Sequence, residues 1–398
     1  MKVAVIHPLR HHAYYALEAA LYHCPDSVMF CGYFNTGDLI DRIIYLTPFG
    51  KMLGGYRNDK LKAHVKVKIH IKLLFLLFKF CPKIFEKMYF HSYQKWCIQE
   101  LSQFDCIYVL QDYCNDVIRE AIKTGIKIVY DQIIAFDYER FITDECINNA
   151  ERTKKLHMQA QNLGYATRVI APSKFVVNSM LGYSFSDSVI SKVKLIQYGG
   201  NVNLYKFKYR HLNFNECIRV LFVGSLTRRK GIEYLLNAME ELNNFNIELT
   251  IVGACVTDSK PYIERIEKLP NVRYCGTVPH ERMNDLYLKY HIFLLPSLAE
   301  GSSLSVFEAL ASGLPCIVTE NAGSTVRHDI DGILIKTKST DSIKNALLEI
   351  IENPHIINNM SKAARNNAEL YSWERFSTEV KDVLDEISAY SSNSSSFT

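Results

Sequence analysis

Short apolar runs rich in β-branched residues alternate with helical stretches along most of the 398-residue sequence. Alternation of this kind predicts parallel sheets that are covered by helices on both faces. The sequence therefore predicts an α/β fold built from Rossmann-like, doubly wound parallel sheets. The runs cover residues 2–7, 28–33, 106–110, 126–130, 168–171 and 194–197 in the first half of the chain, and 219–223, 248–252, 272–274, 292–295, 316–319 and 333–335 in the second.

Length and composition favour two such domains that face a cleft. The chain exceeds the roughly 250–300 residues at which a single core stops growing, and its 48% of hydrophobic residues can fill two cores. We expect one Rossmann-like domain over residues 1–205 and a second over residues 206–372. A terminal helix follows over residues 373–389. The polar residues 390–398 have too little apolar content to fold, which predicts a disordered tail.

Two carboxylates flank a glycine-serine turn in the second predicted domain. Glu300 precedes the turn 301–303, and Glu308 lies on the amphipathic helix predicted over residues 304–311. The first turn of a helix has unpaired amide donors and attracts anions, while carboxylates accept hydrogen bonds from the hydroxyls of a sugar or a ribose. The segment therefore predicts a site for a polyol attached to a phosphate.

The same residues also fit a purely structural interpretation. Ser305 and Glu308 match the capping box S-x-x-E, in which the carboxylate satisfies an amide at the start of its own helix. Glu300 would then be an ordinary loop carboxylate. On this segment alone, both interpretations stay open.

A second strand-to-helix turn carries cationic side chains. Gly224 and Ser225 follow the apolar run 219–223 and lead to Arg229 and Lys230. A hydrogen bond to a charged group contributes about 1.5–3 kcal/mol net. Two phosphate-suited turns in one domain, one of them with ribose-suited carboxylates, favour a nucleoside diphosphate. Ligands of such sheets bind beyond the carboxyl ends of the strands, so the nucleotide is expected on the inner edge of the second domain.

These two segments resemble a known family. The pattern Val-Gly-x-Leu-x-x-x-Lys-Gly over residues 223–231, followed by Glu-x7-Glu over residues 300–308, is similar to that of family 4 glycosyltransferases of the GT-B fold. The resemblance implies a retaining enzyme that uses nucleotide-activated sugars, and a terminal helix that packs back onto the N-terminal domain. Weaker similarities that extend the likeness over most of the chain lie in residues 166–177, 197–201, 274–279 and 313–318.

The chain departs from the family pattern at three points. Ser225 stands where the family often has arginine, and Ser302 and Ser303 replace the usual phenylalanine and glycine. Serine keeps the backbone amides, so these changes are compatible with function. After the first strand, residues 6–12 read Ile-His-Pro-Leu-Arg-His-His instead of a Gly-Gly turn. The acceptor side is therefore the least transferable part of the resemblance.

The resemblance implies roles residue by residue, of which stabilisation of a leaving diphosphate is the main one. Glu300 would hold a donor-sugar hydroxyl and Glu308 the ribose, while Val278 would meet the base through its backbone. The implied catalytic residues are Glu300, Lys230 and Arg229. The implied donor-binding residues are Gly224, Ser225, Val278, Gly301, Ser302, Ser303, Leu304 and Glu308.

Polar residues near the ends of the N-terminal strands are candidates for the acceptor side or the cleft. Any of them could orient or deprotonate an acceptor hydroxyl. A histidine near the end of a strand is more often structural, so that alternative also stays open. The candidates are His7, Arg10, His11, His12 and Asp131.

We expect neither a metal ion nor another cofactor, because the nucleotide-diphosphate sugar would itself be the donor substrate. Asp329 and Asp331 do spell the D-x-D pair with which metal-dependent transferases hold a diphosphate. They precede Gly332 and a short predicted strand, however, and resemble the family's ordinary turn at that point.

Positive charge is concentrated in one region of the first domain. The chain has a net charge of +4, whereas residues 51–100 alone hold eleven basic and three acidic residues. Lysines beside a Leu/Phe-rich face suit an anionic membrane surface, where a lipid-linked acceptor would be delivered. The alternative is a solvated basic face over the N-terminal core. Residues 64–72 alternate like a strand, whereas residues 73–80 fit a helix.

The remaining features bear on location and on rival functions. The eleven cysteines are scattered without a C-x-x-C pair, which is typical of reduced thiols. Neither a signal peptide nor a span of about twenty apolar residues is found, so we expect a cytoplasmic protein or a peripheral one at the inner membrane face. Nucleic acid is not expected, because no binding motif accompanies the basic residues. Surface polysaccharide synthesis is implied by the resemblance alone; a sugar-nucleotide epimerase and a noncatalytic nucleotide-sugar-binding subunit remain rivals.

Overall fold

The computed structural model describes residues 1–8, 12–35, 41, 60–143, 150–183, 185–256 and 259–394. Its strands form two sheets, and the strand pairs within each are parallel. The strands are β1 (Val3–His7), β2 (Val28–Cys31), β3 (Val65–Lys66), β4 (Cys106–Leu110), β5 (Lys127–Asp131), β6 (Arg168–Ala171), β7 (Val193–Leu195), β8 (Ile218–Val223), β9 (Ile247–Val252), β10 (Val272–Tyr274), β11 (Ile292–Leu295), β12 (Cys316–Thr319) and β13 (Gly332–Ile335).

Helices connect these strands. Because both faces of a parallel sheet must be covered, the helices alternate with the strands along the chain. The described helices are α1 (Ala13–His23), α2 (Ile69–Phe80), α3 (Pro82–Glu100), α4 (Asn115–Thr124), α5 (Glu139–Ile142), α6 (Ala150–Tyr165), α7 (Lys174–Leu181), α8 (Asp187–Ile190), α9 (Ile232–Glu241), α10 (Lys260–Ile266), α11 (His280–Tyr287), α12 (Leu304–Ala311), α13 (Thr340–Glu352), α14 (His355–Glu369) and α15 (Trp373–Ser394).

The N-terminal sheet has seven strands in the order β3-β2-β1-β4-β5-β6-β7. Its central strands β1 and β4 are buried along their whole length, and in their register Val5 lies opposite Tyr108. One core cluster packs α3 and α4 against the sheet, and another packs α1 and α15 against it. The predicted doubly wound parallel architecture is therefore confirmed.

The C-terminal sheet has six strands in the order β10-β9-β8-β11-β12-β13. Its two central strands, β8 and β11, are direct neighbours, with Val220 paired to Ile292. Their carboxyl ends therefore lie side by side. This register brings the basic turn 228–230, which follows β8, next to the turn 301–303, which follows β11.

The chain passes between the two domains at two adjacent points. Ile196 and Tyr198 belong to an N-terminal core cluster, whereas Val202 belongs to the C-terminal one. The first passage thus lies ahead of the predicted boundary at residue 205. Between them, the amide of Gly200 donates to the carbonyl oxygen of Tyr371 at 3.0 Å, where the chain returns towards α15.

The terminal helix α15 packs on α1 of the N-terminal domain. The indole of Trp373 stacks on the ring of Tyr15 with 4.2 Å between centroids, and the hydroxyl of Ser377 donates to the Tyr15 carbonyl oxygen at 3.0 Å. Residues 390–394, predicted as part of a disordered tail, are helical. The reason is that neither glycine nor proline occurs after Trp373 to end the helix. Residues 395–398 lie outside the described residues.

The described part of the basic region, residues 60–100, folds mainly as a helical hairpin. Within the alternating run 64–72, Val65–Lys66 forms the described strand, and α2 begins at Ile69, so the strand does not continue through the run. Ile71 and Phe75, one helical turn apart, are both buried, so the helical period decides the structure there. In the part of the chain that the structure describes, no helix combines the length and hydropathy that a bilayer crossing requires.

Candidate functional site

A cavity of about 570 Å³ lies in the cleft between the two domains, within the roughly 300–1,000 Å³ that is usual for ligand pockets. Its walls come from the C-terminal turns, from loops at the ends of β4 and β5, and from the start of α15. The lining residues are His12, Gln111, Asp112, Tyr113, Ile133, Ile134, Tyr138, Lys155, Tyr198, Arg229, Glu300, Gly301, Ser302, Leu304 and Trp373.

The C-terminal wall joins the two predicted turns through one carboxylate. Oε1 of Glu300 accepts from Nζ of Lys230 at 2.8 Å and lies 2.5 Å from Nη1 of Arg229. Gly231 ends the basic turn with φ +71°, and a Cβ there would lie 2.0 Å from the carbonyl oxygen of Pro296. Only glycine therefore lets the two turns approach this closely.

The ionisation of Glu300 follows from these contacts. Burial raises the pKa of Glu300, but Lys230 and Arg229 outweigh that effect and hold the pKa below its ordinary value. The three side chains together carry a net positive charge, since one carboxylate faces two cations. Among the described residues, no hydrogen bond to Oε2 of Glu300 is found, so that oxygen can accept from a ligand.

Glu308 lies on α12 and has a different environment. The hydroxyl of Tyr287 donates to its Oε2 at 2.8 Å. Burial raises the pKa of Glu308, and the hydrogen bond from Tyr287 together with the nearby hydroxyl of Tyr205 offsets only part of the rise. The capping-box interpretation is wrong, because α12 begins at Leu304 with Ser303, not Ser305, at the N-cap. No sequence signal points to either tyrosine, because both lie far from Glu308 along the chain.

The predicted amide cradle at the start of α12 is only partly available. The amide of Ser303 donates to the carbonyl oxygen of Ala322 at 3.2 Å, so it is not free to bind an anion as expected. The side chain of Ser303 makes no capping bond to the helix. Ser302 and Leu304 line the cavity, and their amides remain the candidates for contact with a phosphate.

Three further predicted donor residues are not among the described residues that line the cavity. Gly224 is beside the stem of Lys230, since a Cβ on it would be 3.4 Å from Lys230 Cε. Ser225 accepts from the amide of Thr227 through its carbonyl oxygen at 2.9 Å. Val278 packs on the C-terminal core. Among the described residues that line the cavity, none of Gly224, Ser225 and Val278 occurs.

The N-terminal wall is built around a buried carboxylate. Nε2 of His12 lies 2.6 Å from Oδ2 of Asp131, and the hydroxyls of Tyr108 and Tyr198 also donate to this carboxylate. Burial, followed by the charge of Asp131, raises the pKa of both tyrosines. The His12 ring stacks on that of Trp373, with centroids 6.3 Å apart. The network thus holds the imidazole in a fixed orientation at the cavity.

The other N-terminal candidates are His7, Arg10 and His11. The buried ring of His7 packs edge-on against Tyr113, with centroids 5.5 Å apart, behind the cavity surface. Arg10 and His11 lie outside the described residues. Among the three candidates that the structure describes, it brings His12 and Asp131 into direct contact.

Sequence reasoning missed a polar pair on the same wall. Nζ of Lys155 lies 3.3 Å from Oδ2 of Asp112. Burial lowers the pKa of Lys155, but Asp112, Tyr138 and Glu139 together outweigh it, and the pKa is raised. Asp112 follows the end of β4, where ligands of parallel sheets are expected. That position could have identified Asp112 as a site residue from the sequence. Lys155 lies on α6 and had no such signal.

Close contacts between the domains shape the cavity floor. A Cβ on Gly301 would lie 1.7 Å from the carbonyl oxygen of Ile133, so the two backbones touch there. Nε2 of Gln197 donates to Ser302 Oγ at 3.0 Å and to the carbonyl oxygen of Gly323 at 2.9 Å. Only a glycine at position 301 permits this closed arrangement.

The D-x-D pair is engaged in a turn. Asp331 accepts from Nε of Arg327 at 2.6 Å and from Nδ2 of Asn367 at 2.9 Å. Asp329 has a left-handed backbone with φ +60°. In the described part of the chain, no group of three metal-ligating side chains is found.

The C-terminal domain matches a family model. Residues 217–353 match the model described as glycosyl transferases group 1, and this range contains both turns of the cavity wall. The predicted resemblance to glycosyltransferases is therefore confirmed.

Relatives of the chain include glycosyltransferases. The chain is 29% identical over 258 residues to an uncharacterized glycosyltransferase of Methanocaldococcus jannaschii, covering 59% of this chain and 64% of that relative. It thus spans less than two thirds of the length of that protein. It is also 43% identical over 77 residues to the UDP-Gal:alpha-D-GlcNAc-diphosphoundecaprenol alpha-1,3-galactosyltransferase of Escherichia coli, covering 19% of this chain and 20% of the enzyme.

Solved structures share the architecture. The structure of Anabaena HepE in complex with UDP aligns with this chain at a TM-score of 0.68 and 14% sequence identity. The alignment covers 97% of this chain and 100% of that one. A likeness at this identity shows a common fold, and the predicted GT-B class with two parallel-sheet domains is confirmed.

Proposed function

We propose that this chain, whose residues 217–353 fall in the glycosyl transferases group 1 family, is a retaining glycosyltransferase. It moves a sugar from a nucleotide-diphosphate sugar to a glycan or lipid-linked acceptor in surface polysaccharide synthesis. One observation carries the proposal: Arg229 and Lys230 converge on Glu300 at the wall of an interdomain cavity. The name of the Escherichia coli relative, which includes a diphosphoundecaprenol-linked acceptor, supports the acceptor class.

In this proposal, the net positive cluster of Arg229, Lys230 and Glu300 stabilises the leaving group. As the bond from the anomeric carbon to the diphosphate breaks, negative charge grows on the departing oxygen, and Lys230 and Arg229 lie where they neutralise it. Donors that are already oriented for developing charge supply the largest catalytic effect in many enzymes. Oε2 of Glu300 accepts a hydroxyl of the donor sugar, and Glu308 binds the ribose.

The acceptor enters from the N-terminal wall. His12 is held by Asp131 at 2.6 Å, which fixes the imidazole beside the cavity and lets it orient the attacking hydroxyl. Lys155 and Asp112 offer a cation and a carboxylate on the same wall. The configuration at the anomeric carbon is retained, with the acceptor attacking from the face that the diphosphate leaves.

No metal ion is needed in this mechanism, because two cationic side chains fill the role that a metal has elsewhere. The proposal therefore expects full activity in the presence of a chelator such as EDTA. A strong loss of activity, restored by a divalent cation, would contradict this part.

Ligand-induced thermal shift over a panel of nucleotide sugars tests the donor. A ligand present at 100 times its Kd stabilises the folded state by about 2.7 kcal/mol, so the correct donor raises the melting temperature. The Lys230→Ala variant should lose that shift, and Lys268→Ala, which changes an exposed lysine elsewhere, should keep it.

Product analysis separates the proposal from its rivals. With the donor so identified and a lipid-linked acceptor, NMR of the anomeric proton should show a glycoside with the configuration of the donor. Isomerisation of the donor without acceptor would indicate an epimerase. Donor binding without turnover on any acceptor of the panel would indicate a noncatalytic binding subunit.

A further inference from the structure

Helix α2 is apolar on two opposite faces. Ile71 and Phe75 are buried in the N-terminal core. Ile69, Leu73 and Leu77 recur every fourth residue on the other side and are 65%, 45% and 43% exposed. A surface helix normally has one apolar stripe, which faces the core. The second stripe lies at the surface and does not belong to the core clusters of the described residues.

The exposed stripe continues through the turn into α3. Phe80 at the end of α2, and Ile84 and Met88 in the first turns of α3, are 52%, 66% and 53% exposed. The two helices form one rigid hairpin, since Phe78 of α2 stacks on Tyr89 of α3 with centroids 5.4 Å apart. We call Leu73, Leu77, Phe80, Ile84 and Met88 the hairpin tip.

Cations surround the hairpin tip. Lys79, Lys83 and Lys87 are exposed, and Glu86 is the one acidic residue between them. The Lys79 ammonium lies over the rings of Phe75 and Phe78, 5.4 and 5.6 Å from their centroids. Among the described residues, no salt bridge to these three lysines is found. An apolar patch rimmed by lysines matches the acyl chains and anionic head groups of a bilayer.

The hairpin also reaches the rim of the interdomain cavity. The Tyr89 hydroxyl bonds the carbonyl oxygen of Pro8, which follows β1. The ring of Phe90 stacks on Tyr113, with centroids 6.1 Å apart, and Tyr113 lines the interdomain cavity. A surface on which the tip rests would therefore lie beside the N-terminal wall of the cavity.

We propose that the hairpin tip docks on an anionic lipid bilayer, with its side chains among the acyl chains and Lys79, Lys83 and Lys87 at the head groups. This inference deepens the proposed function and rests on it, because it presents the acceptor wall of the cavity to a lipid-linked acceptor. The cavity stays outside the bilayer, and the bound lipid's head group enters it from the side of Tyr113.

Vesicle flotation of the full chain tests the proposal. Vesicles of phosphatidylcholine alone are compared with vesicles containing phosphatidylglycerol, and the chain should float only with the latter. The triple variant Leu77→Ser, Phe80→Ser, Ile84→Ser should lose flotation. The matched control Leu181→Ser, Leu204→Ser, Phe245→Ser changes exposed apolar residues elsewhere and should float like the unchanged chain.

A charge series provides a second, independent measurement. Each of Lys79→Gln, Lys83→Gln and Lys87→Gln should weaken partitioning roughly fivefold, and the three together on the order of 100-fold. The control Lys123→Gln, Lys268→Gln, Lys362→Gln also removes three lysines and should leave partitioning unchanged. Equal partitioning into the neutral vesicles, or unchanged flotation of either tip variant, would overturn the proposal.

Two readouts keep this inference separate from the proposed function. With a water-soluble acceptor, the tip variants should transfer sugar at the unchanged rate, whereas transfer to a vesicle-bound acceptor should fall at least tenfold. If the unchanged chain transfers no sugar, the proposed function is contradicted. The flotation assay would still test the docking proposal by itself. Self-association by sedimentation that the tip variants abolish, without flotation of the unchanged chain, would identify a second copy as the occupant and overturn the proposal.

Discussion

The Glu300 cluster on the C-terminal wall of the cleft cavity is partly exposed, whereas the His12–Asp131 pair on the N-terminal wall is buried. The side chain of Arg229 is 30% exposed and that of Glu300 11%, compared with 2% for His12 and 0% for Asp131. A charge that a ligand can reach will bind an anion directly. A charge that is already matched within the protein can only orient its neighbours. Under the proposed function, the C-terminal wall is the donor wall, which acts electrostatically, and the N-terminal wall is the acceptor wall, which positions its substrate.

Lys230→Ala tests the donor wall and should have the largest effect. It removes one of two cations that face the diphosphate, and we expect transfer to fall about 100-fold, as when one oriented donor for a developing charge is removed. Melting should change little, because Glu300 keeps Arg229 as a partner. Steady-state kinetics and a thermal melt check both results. Near-normal activity would show that the wall does not act through this charge.

Gly301→Ala tests the contact between the walls. Because a Cβ would lie 1.7 Å from the Ile133 carbonyl oxygen, the domains must separate locally, and we expect transfer to fall more than tenfold. Gly164→Ala is the matched control, since a Cβ there meets nothing within 4 Å and alanine favours the surrounding helix. If both variants behave alike, the closed contact has no part in activity.

Asp131→Asn tests the acceptor wall. The substitution replaces one carboxylate oxygen with an NH2 group, which donates instead of accepting. The side chain can then no longer accept from His12, Tyr108 and Tyr198 together, so the imidazole loses its orientation. We expect the kcat/KM for the acceptor to fall about tenfold, consistent with partial loss of acid–base positioning, while nucleotide affinity stays the same. Calorimetric titration with the nucleoside diphosphate measures the second quantity. A parallel loss of nucleotide affinity would show that the two walls do not act separately. Asp382→Asn, which changes an exposed carboxylate elsewhere, serves as the control.

The pH dependence of donor affinity should show the smallest effect. The pKa of Glu308 is raised and that of Glu300 is lowered, so on acidification Glu308 takes up its proton first. A carboxylate with a raised pKa is ionised only above that value. Donor affinity should therefore fall a few-fold as pH decreases through the pKa of Glu308. In Glu308→Gln this step should be absent, and a persistent step would assign it to another group.

The donor wall could be predicted because its parts are local in sequence. β8 and β11 each end in a turn that the sequence displays directly, and the parallel order of the sheet brings the turns together. The direct bond between Lys230 and Glu300 could not be predicted, although both residues were named, because it depends on the register of the two strands. The same holds for Tyr287, which reaches Glu308 from another helix.

The acceptor wall could not be predicted to the same extent. Its residues come from the first domain, from the segment between the domains and from the terminal helix. Trp373 contacts His12 only because the chain returns across the cleft, and Tyr198 contacts it from the segment that follows the last N-terminal strand. No local pattern records such a contact. Lys155 likewise lies on a helix whose amphipathic pattern says nothing about its partner Asp112.

The position of α15 also fixes the order in which the molecule can finish folding. Phe376, Val380 and Leu384 complete a core that the sheet and α1 of the first domain begin. Domains usually fold in turn from the N-terminal end during synthesis. Here that core stays open while the ribosome makes the entire second domain. The domain that is translated first is consequently the last to close.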